Sequence, residues 1–222
     1  MNVRVLLTRR SLAAGTAFAG VAAAVLVGQG GLRTVVGCGI ANDVTPSLTA
    51  EDWVANADHA VVATPTHEQD TDRRDFRTGP VQYRTDRTVT LRTDSVLWSA
   101  DSPRRALGEN FDMAAAGWNV YRNSGTRIKR TTAEAPRLEP GHTYLLALRW
   151  TDEGWTVLGE GAAVPFDDHT VGQGEWCGRT LSKEDVALGE VFSRSDDHSL
   201  EKTVHGQDEA AVTRELRRAL DA

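Results

Sequence analysis

The sequence predicts a mainly β protein with flanking helices, an α+β fold in which a small barrel follows an N-terminal apolar helix. Three observations carry this. Ser11 to Leu32 run for 22 residues without a charge, directly after Arg9-Arg10. Downstream, apolar and polar residues alternate with period two, most clearly Val89 and Leu91 against Thr88, Thr90 and Arg92. That run changes phase at Asp94-Ser95, after which Val96 and Trp98 are expected to share a face. A phase change inside a long strand implies a bulge and a sharp bend, the device by which small barrels turn corners.

The apolar segment Ser11–Gly28 fixes the compartment. With Arg4, Arg9 and Arg10 before it, it reads as a cleaved signal peptide or as a retained anchor, N-terminus in the cytoplasm and body outside. Ala22-Ala23-Ala24 offers an A-x-A cleavage site inside the apolar run. A lipobox at Val35-Val36-Gly37-Cys38 is the third reading, separated from the apolar core by Gln29-Gly30-Gly31 and Arg33. A buried Ala-rich helix is the fourth. Thr8-Arg9-Arg10-Ser11-Leu12 partly matches the twin-arginine export motif, which leaves the export route open. The expected organisation is signal or anchor at 1–33, linker at 34–47, barrel at 48–180 and a C-terminal helical extension at 181–222. The protein is expected to be extracytoplasmic, membrane-anchored or secreted, with the membrane a partner if the segment is retained.

The chain has 222 residues and a formal charge of −6. All 31 acidic residues follow Arg33 and four of the 25 basic residues do not, so the exported part carries 21 basic against 31 acidic groups, a charge of −10. An acidic body argues against nucleic acid as a partner, because phosphate binding needs a basic face. Only Lys129, Lys183 and Lys202 are lysines among the basic residues, which points to coding bias.

Thr49 is placed to cap a helix over 48–57, with Asp52 at N3 as in a capping box and Leu48 set to staple onto Trp53. His59 to Thr64 reads as a buried strand stopped by Pro65. Thr66 to Asp86 mixes Asp and Arg and reads as a solvated loop or hairpin tip, turning at Gly79-Pro80. Arg87–Trp98 is a strand, and Asn110–Tyr121 another, with Trp118 and Val120 on one face and a kink at Gly117. Arg122 to Arg137 reads as loop with a basic cluster of Arg127, Lys129 and Arg130. Glu139-Pro140-Gly141 turns into a strand over 142–150, and Thr151-Asp152-Glu153-Gly154 closes a hairpin with 155–161. Phe166 to Cys177 reads as irregular. Ser182 caps a short helix with Asp185 at N3 and Val186 and Val191 apolar; Ser193 to Gly206 reads as polar and exposed. Gln207 to Ala222 forms a last helix with Val212, Leu216 and Ala219 facing inward.

Chemistry is sparse. Cys38 and Cys177 are the only cysteines, and outside the cytoplasm such a pair reads as a disulfide. None of the six histidines stands in an H-E-x-x-H or comparable ligand pair. Asp167-Asp168-His169 and Asp196-Asp197-His198 repeat one tripeptide, which could hold a divalent cation only if the two met in space; coincidence in an Asp-rich chain is the favoured reading. No G-x-S-x-G, P-loop or dinucleotide fingerprint occurs. No catalytic, cofactor-binding or metal residue is assigned and no cofactor is expected. Trp53, Trp98, Trp118, Trp150, Trp155 and Trp176 could line a glycan or peptide groove, though core filling is the favoured reading.

Three stretches carry a resemblance: Ala57-Asp58-His59-Ala60-Val61-Val62-Ala63, the run Val89 to Trp98, and Leu138-Glu139-Pro140-Gly141-His142-Thr143-Tyr144-Leu145-Leu146-Ala147-Leu148. Over roughly 48–161 the chain resembles exported actinobacterial proteins of unknown function with an OB-like barrel, related to the netrin-like domain and the tissue inhibitors of metalloproteinases. In that inhibitor family a cysteine at the mature N-terminus coordinates the protease zinc. Here this would require cleavage between Gly37 and Cys38, for which Val35-Val36-Gly37 is a poor site, so Cys38 is not assigned the role. The resulting expectation is a non-catalytic extracytoplasmic binding module with a protein or glycan ligand. The alternatives are a secreted metalloprotease inhibitor and a metal-dependent hydrolase using the Asp/His tripeptides.

Overall fold

The computed structural model describes residues 35–36, 45–131, 135–189 and 198–222. Ser11–Gly28, Cys38, Val191 and Asp196-Asp197 lie outside them, and with them the expected export helix and its cleavage point. Among the described residues, no helix is long and apolar enough to cross a membrane.

The elements run β1 (Val35–Val36), α1 (Ala50–Asn56), β2 (His59–Asp75), β3 (Val81–Ser99), β4 (Asn110–Tyr121) and β5 (Arg127–Arg130). They continue with β6 (Tyr144–Thr151), β7 (Gly154–Val157), β8 (Ala163–Pro165), β9 (Gly174–Trp176) and β10 (Arg179–Leu181). Helices α2 (Lys183–Ala187), α3 (Leu200–Thr203) and α4 (Glu209–Leu220) follow. β1 is a two-residue parallel edge on β5.

β2, β3, β4, β7 and β6 pair in that order, and β6 returns to β2, so five strands close a barrel. The arrangement is compatible with an OB-like barrel. All pairings in the ring are antiparallel except β4 with β7, which is parallel and rests on one register pair, Met113 with Trp155. Val61, Ala63, Val89, Leu91, Phe111, Met113, Leu146, Leu148 and Trp155 fill the interior. The alternate residues Ala60, Val62, Leu145 and Ala147 face outward, into a second core with Trp53 of α1 and Val212 and Leu216 of α4. β2 and β6 are therefore buried on both faces, which is why they read as continuous apolar runs.

The local signals hold where they are short-range. Thr49 Oγ1 accepts from the Asp52 N–H at 3.1 Å and Asp52 Oδ2 accepts from the Thr49 N–H at 3.0 Å, closing the capping box. Ser182 and Asp185 do the same for α2, at 3.2 and 2.8 Å. Asp208 caps α4 through the Ala211 N–H at 3.1 Å. Gly117 is the bulged residue of β4, between Ala116, paired with Asp86, and Trp118, paired with Thr85. A Cβ there would stand 2.5 Å from the Thr85 carbonyl oxygen, so only glycine lets the strands close up.

Several expectations are corrected. β2 does not stop at Pro65 but runs ten residues further, to Asp75. Its pairing with β6 ends at Ala63, so beyond that point β2 is an edge strand, and the register slips between Pro65 and His67. An edge with a bulge is where a residue lacking an N–H is tolerated. The charged stretch 66–86 is consequently no loop. β2 and β3 stay paired to Asp75–Tyr83, with β4 on the other side of β3 as far as the pair Val81–Tyr121, and only 76–80 forms the tip of this arm. The phase change in β3 is real but is made by bulges at Leu97 and Asp94, which the β2 pairing skips. Val96 is left 51% exposed while Leu97 and Trp98 both pack on the outer core, so Val96 and Trp98 do not share a face.

β5 lies inside the expected loop 122–137, pairing Lys129 with Trp118. β6 begins two residues late, and β7 ends at Val157. The expected irregular stretch 166–177 contains β9. It pairs with β10 across Cys177-Gly178, whose φ values of 50° and 77° are both positive, as a primed two-residue turn requires. The expected exposed stretch 193–206 contains α3, which buries Leu200 and Glu201, and Val204 just after it.

Candidate functional site

The inward alternation of β3 continues from Leu91 and Val89 to Arg87 and Thr85, all buried. The barrel interior thus passes, along one strand face, into a chamber under the arm that holds charge. β4 contributes Ala115 and Trp118 opposite these residues, β5 contributes Lys129, and β2 contributes Glu68, which reaches in from the exposed rim. The chain segment 135–139, which precedes β6, lies across this chamber.

Arg87 fastens that segment. Its side chain is 1% exposed. Nη1 donates to the Leu138 carbonyl at 3.3 Å and, in a short contact, to Glu68; Nη2 donates to the Arg137 carbonyl; Nε donates to the Ala116 carbonyl at 3.0 Å. Leu138 is held with φ of 59°, a region bulky side chains rarely adopt. The Arg87 bonds to its own and the preceding carbonyl fix it there. From the other side Glu175 Oε2 accepts the Arg137 N–H at 2.6 Å, and Tyr144 Oη accepts the Glu139 N–H at 3.0 Å.

Arg137 is the second buried guanidinium. Nη1 donates to the carbonyls of Ala116 at 2.8 Å, Gly117 at 2.7 Å and Arg130. Its Nε stands 3.0 Å from Glu139 Oε1, which Lys129 also reaches. Nη2 is buried and has no hydrogen-bond partner among the described residues. Burial and then the like charge of Arg87 bring this guanidinium down to about 10. Burial opposes ionisation of Glu139, but Lys129 and Arg137 hold its carboxyl below the ordinary range. Burial pushes the Glu175 carboxyl up, against the N–H groups of Gly178 and Arg137 that favour its anion. Trp118 lies between Arg127 and Arg137, at 4.5 and 4.8 Å from ring centre to guanidinium carbon, a cation–π stack on each.

Against this chamber lies a cavity of about 240 Å³. It occupies the seam where β4 and β7 part after their single pair. Met113, Ala115, Leu138, Val157 and Ala163 give it an apolar wall; Arg137, Arg130 and Glu160 give it charge. Arg130 is matched by Asp86 at 2.8 Å and also donates to the Thr85 carbonyl.

The residues singled out from sequence are scattered. Asp167 is consumed structurally: Oδ2 meets His142 Nδ1 at 2.6 Å and Oδ1 accepts the Thr143 N–H at 2.7 Å. Asp168 accepts from Gln173 Nε2 at 2.7 Å. His198 is exposed, and its tripeptide partners lie outside the described residues. Among the described residues, no group of three His, Cys, Asp or Glu could hold a metal ion. Cys177 sits in the β9–β10 turn and is not a free thiol; Cys38 lies outside the described residues. Trp53, Trp155 and Trp176 are buried. Trp98 packs on the outer core and Trp150 lies edge-on to Trp155 with Arg105 over its ring.

Sequence reasoning missed Arg87, Arg137, Glu68 and Glu139. Only Arg87 left a trace: it stands two residues before Val89, on the inward phase of a strand whose inward positions are otherwise uncharged down to Leu91. Arg137 and Glu139 become interior only because segment 135–139 folds over the arm. No protein-family model matches the chain, and no curated protein matches it.

Proposed function

We propose that the chain is an extracytoplasmic, non-catalytic binding module on an OB-like barrel, and that its ligand occupies the seam cavity between β4 and β7. The observation that carries this is the cavity itself: a preformed apolar wall with a few convergent charged groups, the composition typical of small-ligand sites. A fragment screen by ligand-observed NMR on the full-length protein tests it. Fragments are expected to bind the native protein and to be lost in Ala115→Phe, which fills the cavity, while the fold is retained by circular dichroism. Failure of every fragment to bind the native protein, or undiminished binding to Ala115→Phe, would overturn the reading.

The extracytoplasmic assignment rests on the basic residues and the 22 uncharged residues at the N-terminus. N-terminal sequencing of the exported protein distinguishes a mature start near residues 25 to 38 from a retained anchor. In that compartment Cys38 and Cys177 are read as a disulfide; labelling of two thiols in the unreduced protein would refute the pairing.

A further inference from the structure

We propose that the end of the arm is a docking tip for a surface of anionic phospholipid, with Arg74 and Arg84 receiving lipid phosphate and the Phe76 ring set among the headgroups. This goes beyond the seam-cavity reading and does not depend on it. Arg74 and Arg84 stand directly opposite each other across β2 and β3. Like charges in that position weaken a sheet. Both guanidinium carbons gather on one ring, at 5.8 and 6.0 Å from the centre of Phe76. Neither side chain has an ion pair among the described residues. An anion shared by the two relieves the repulsion and makes charge-assisted hydrogen bonds. The turn that carries Phe76 is held in place. The Phe76 N–H donates to the Gln82 carbonyl at 2.8 Å, and Arg122 donates to the carbonyls of Phe76 at 2.6 Å and Gly79 at 3.3 Å. Phe76 is half-exposed there, beside the exposed Arg77 and Thr78.

Charge is segregated along the molecule. The arm, 68–87 with 117–130, carries nine basic and five acidic residues. Five of its cations are matched: Arg73 by Asp75, Arg87 by Glu68, Arg127 by Asp70, Arg130 by Asp86 and Lys129 by Glu139. Arg74, Arg77, Arg84 and Arg122 remain against Asp72, an excess of three positive charges at the far end of the arm. The rest of the chain after Arg33 carries 12 basic and 26 acidic residues, a charge of −14. The acidic character of the whole chain therefore does not extend to the tip. From Arg87 to Val81 the strand β3 spans about 20 Å at ~3.3 Å per residue. That is more than twice the roughly 8 Å Debye length at physiological salt, so a plane touched by the tip is screened from the acidic body. Nucleic acid is the weaker fit, because a single strand is tracked along a basic groove with successive stacking rings. Tyr83 and Trp118 already carry Arg73 and Arg127 on their faces. One aromatic ring with flanking arginines on a turn suits a bilayer interface, where the ring lies at headgroup level and the cations meet phosphate.

The test places the polarity-sensitive dye acrylodan on the turn through Thr78→Cys in the full-length, unreduced protein. Cys177 is not a free thiol, and the unsubstituted chain carried through labelling is the blank. Emission is expected to shift to the blue on vesicles of equal parts phosphatidylglycerol and phosphatidylcholine. It should stay unshifted on phosphatidylcholine alone. The shift should disappear in about 1 M salt, where the Debye length is ~3 Å. Arg74→Glu should raise the vesicle concentration needed for half the shift by about tenfold or more. The same substitution turns a like-charge cross-strand pair into an opposite-charge one, so the fold is kept or tightened. Arg74→Lys should stay within about threefold of the native protein, since the charge is kept. An equal shift on both vesicle compositions would overturn the proposal in favour of apolar insertion alone. Absence of a shift on either, or an undiminished shift in Arg74→Glu, would overturn it outright. A shift with oligothymidine or with inorganic phosphate, and none with vesicles, would overturn it in favour of a soluble anion. Should Arg74→Glu fail to fold, Arg77→Glu in the exposed turn and the two vesicle compositions still decide.

Discussion

β3 and β4 line two interiors that differ in chemistry. Around Val89, Leu91, Phe111 and Met113 the barrel is closed by apolar contact alone. One turn of the pleat further, at Arg87, Thr85 and Trp118, the same strand faces enclose guanidinium, ammonium and carboxylate groups. The apolar interior is non-directional and tolerates small shifts. The ionic one works only if every member is met, because desolvating a charge costs several kcal/mol unless its partners are in place. The structure meets most of that demand by laying segment 135–139 into the chamber and turning backbone carbonyls to Arg87 and Arg137, while Arg137 Nη2 and Thr85 Oγ1 stay without a partner among the described residues. The difference teaches that the fold closes its barrel with hydrophobic residues and orders its longest crossing segment with charge.

The comparison breaks most sharply at Arg87. Arg87→Ala removes a buried guanidinium and leaves the Ala116, Leu138 and Arg137 carbonyls without their donor; a loss of about 3 kcal/mol is expected from these unmet buried acceptors, measured by urea unfolding. Glu68→Gln alone should cost about 1 kcal/mol or less, because Glu68 is exposed and its pair with Arg87 is partly solvated. Leu91→Ala, two pairs along in the apolar interior, should cost about 3 kcal/mol. Gly117→Ala, where β4 passes from one interior to the other, should cost about 1–3 kcal/mol, since the new Cβ meets the Thr85 and Asp86 carbonyls at 2.5 and 2.8 Å.

The smallest expected effect is pH-dependent and sits at the border of the ionic interior. The hydrogen bond to Asp167, opposed by burial, raises the His142 imidazole above its ordinary 6.5. The stabilisation from this pair is therefore complete below about pH 6.5 and is lost as pH rises through the raised value. Urea midpoints of the native protein and of His142→Gln, compared between pH 5.5 and pH 9, should converge towards alkaline pH. A gap that is constant across that range would refute the linkage.

The apolar interior was legible in the sequence and the ionic one was not. Thr49 with Asp52 and Ser182 with Asp185 are legible because a capping box is complete within four residues. Asn110–Tyr121 and Gly117 are legible because the alternation and its interruption are local. Arg87 carries the same alternation, but a charged residue in a strand is ordinarily assigned to water, and only tertiary closure reverses the assignment. The continuation of β2 through Pro65 depends on where β6 stops pairing, and β5 depends on β4 being beside it. The seam cavity depends on β4 meeting β7, more than forty residues away in the chain, a contact that no periodicity encodes.

That closure has a kinetic meaning. A barrel wall joined at Met113 and Trp155 alone has the fewest interstrand amide bonds of any boundary in the ring, and local opening is cheapest where such bonds are few. Hydrogen exchange should find the amides of β7 and the facing half of β4 the first in the barrel to take up deuterium. The β2–β6 amides, covered on both faces, should be among the last. The seam is then the boundary of the ring expected to open first, since only a single rung has to part there.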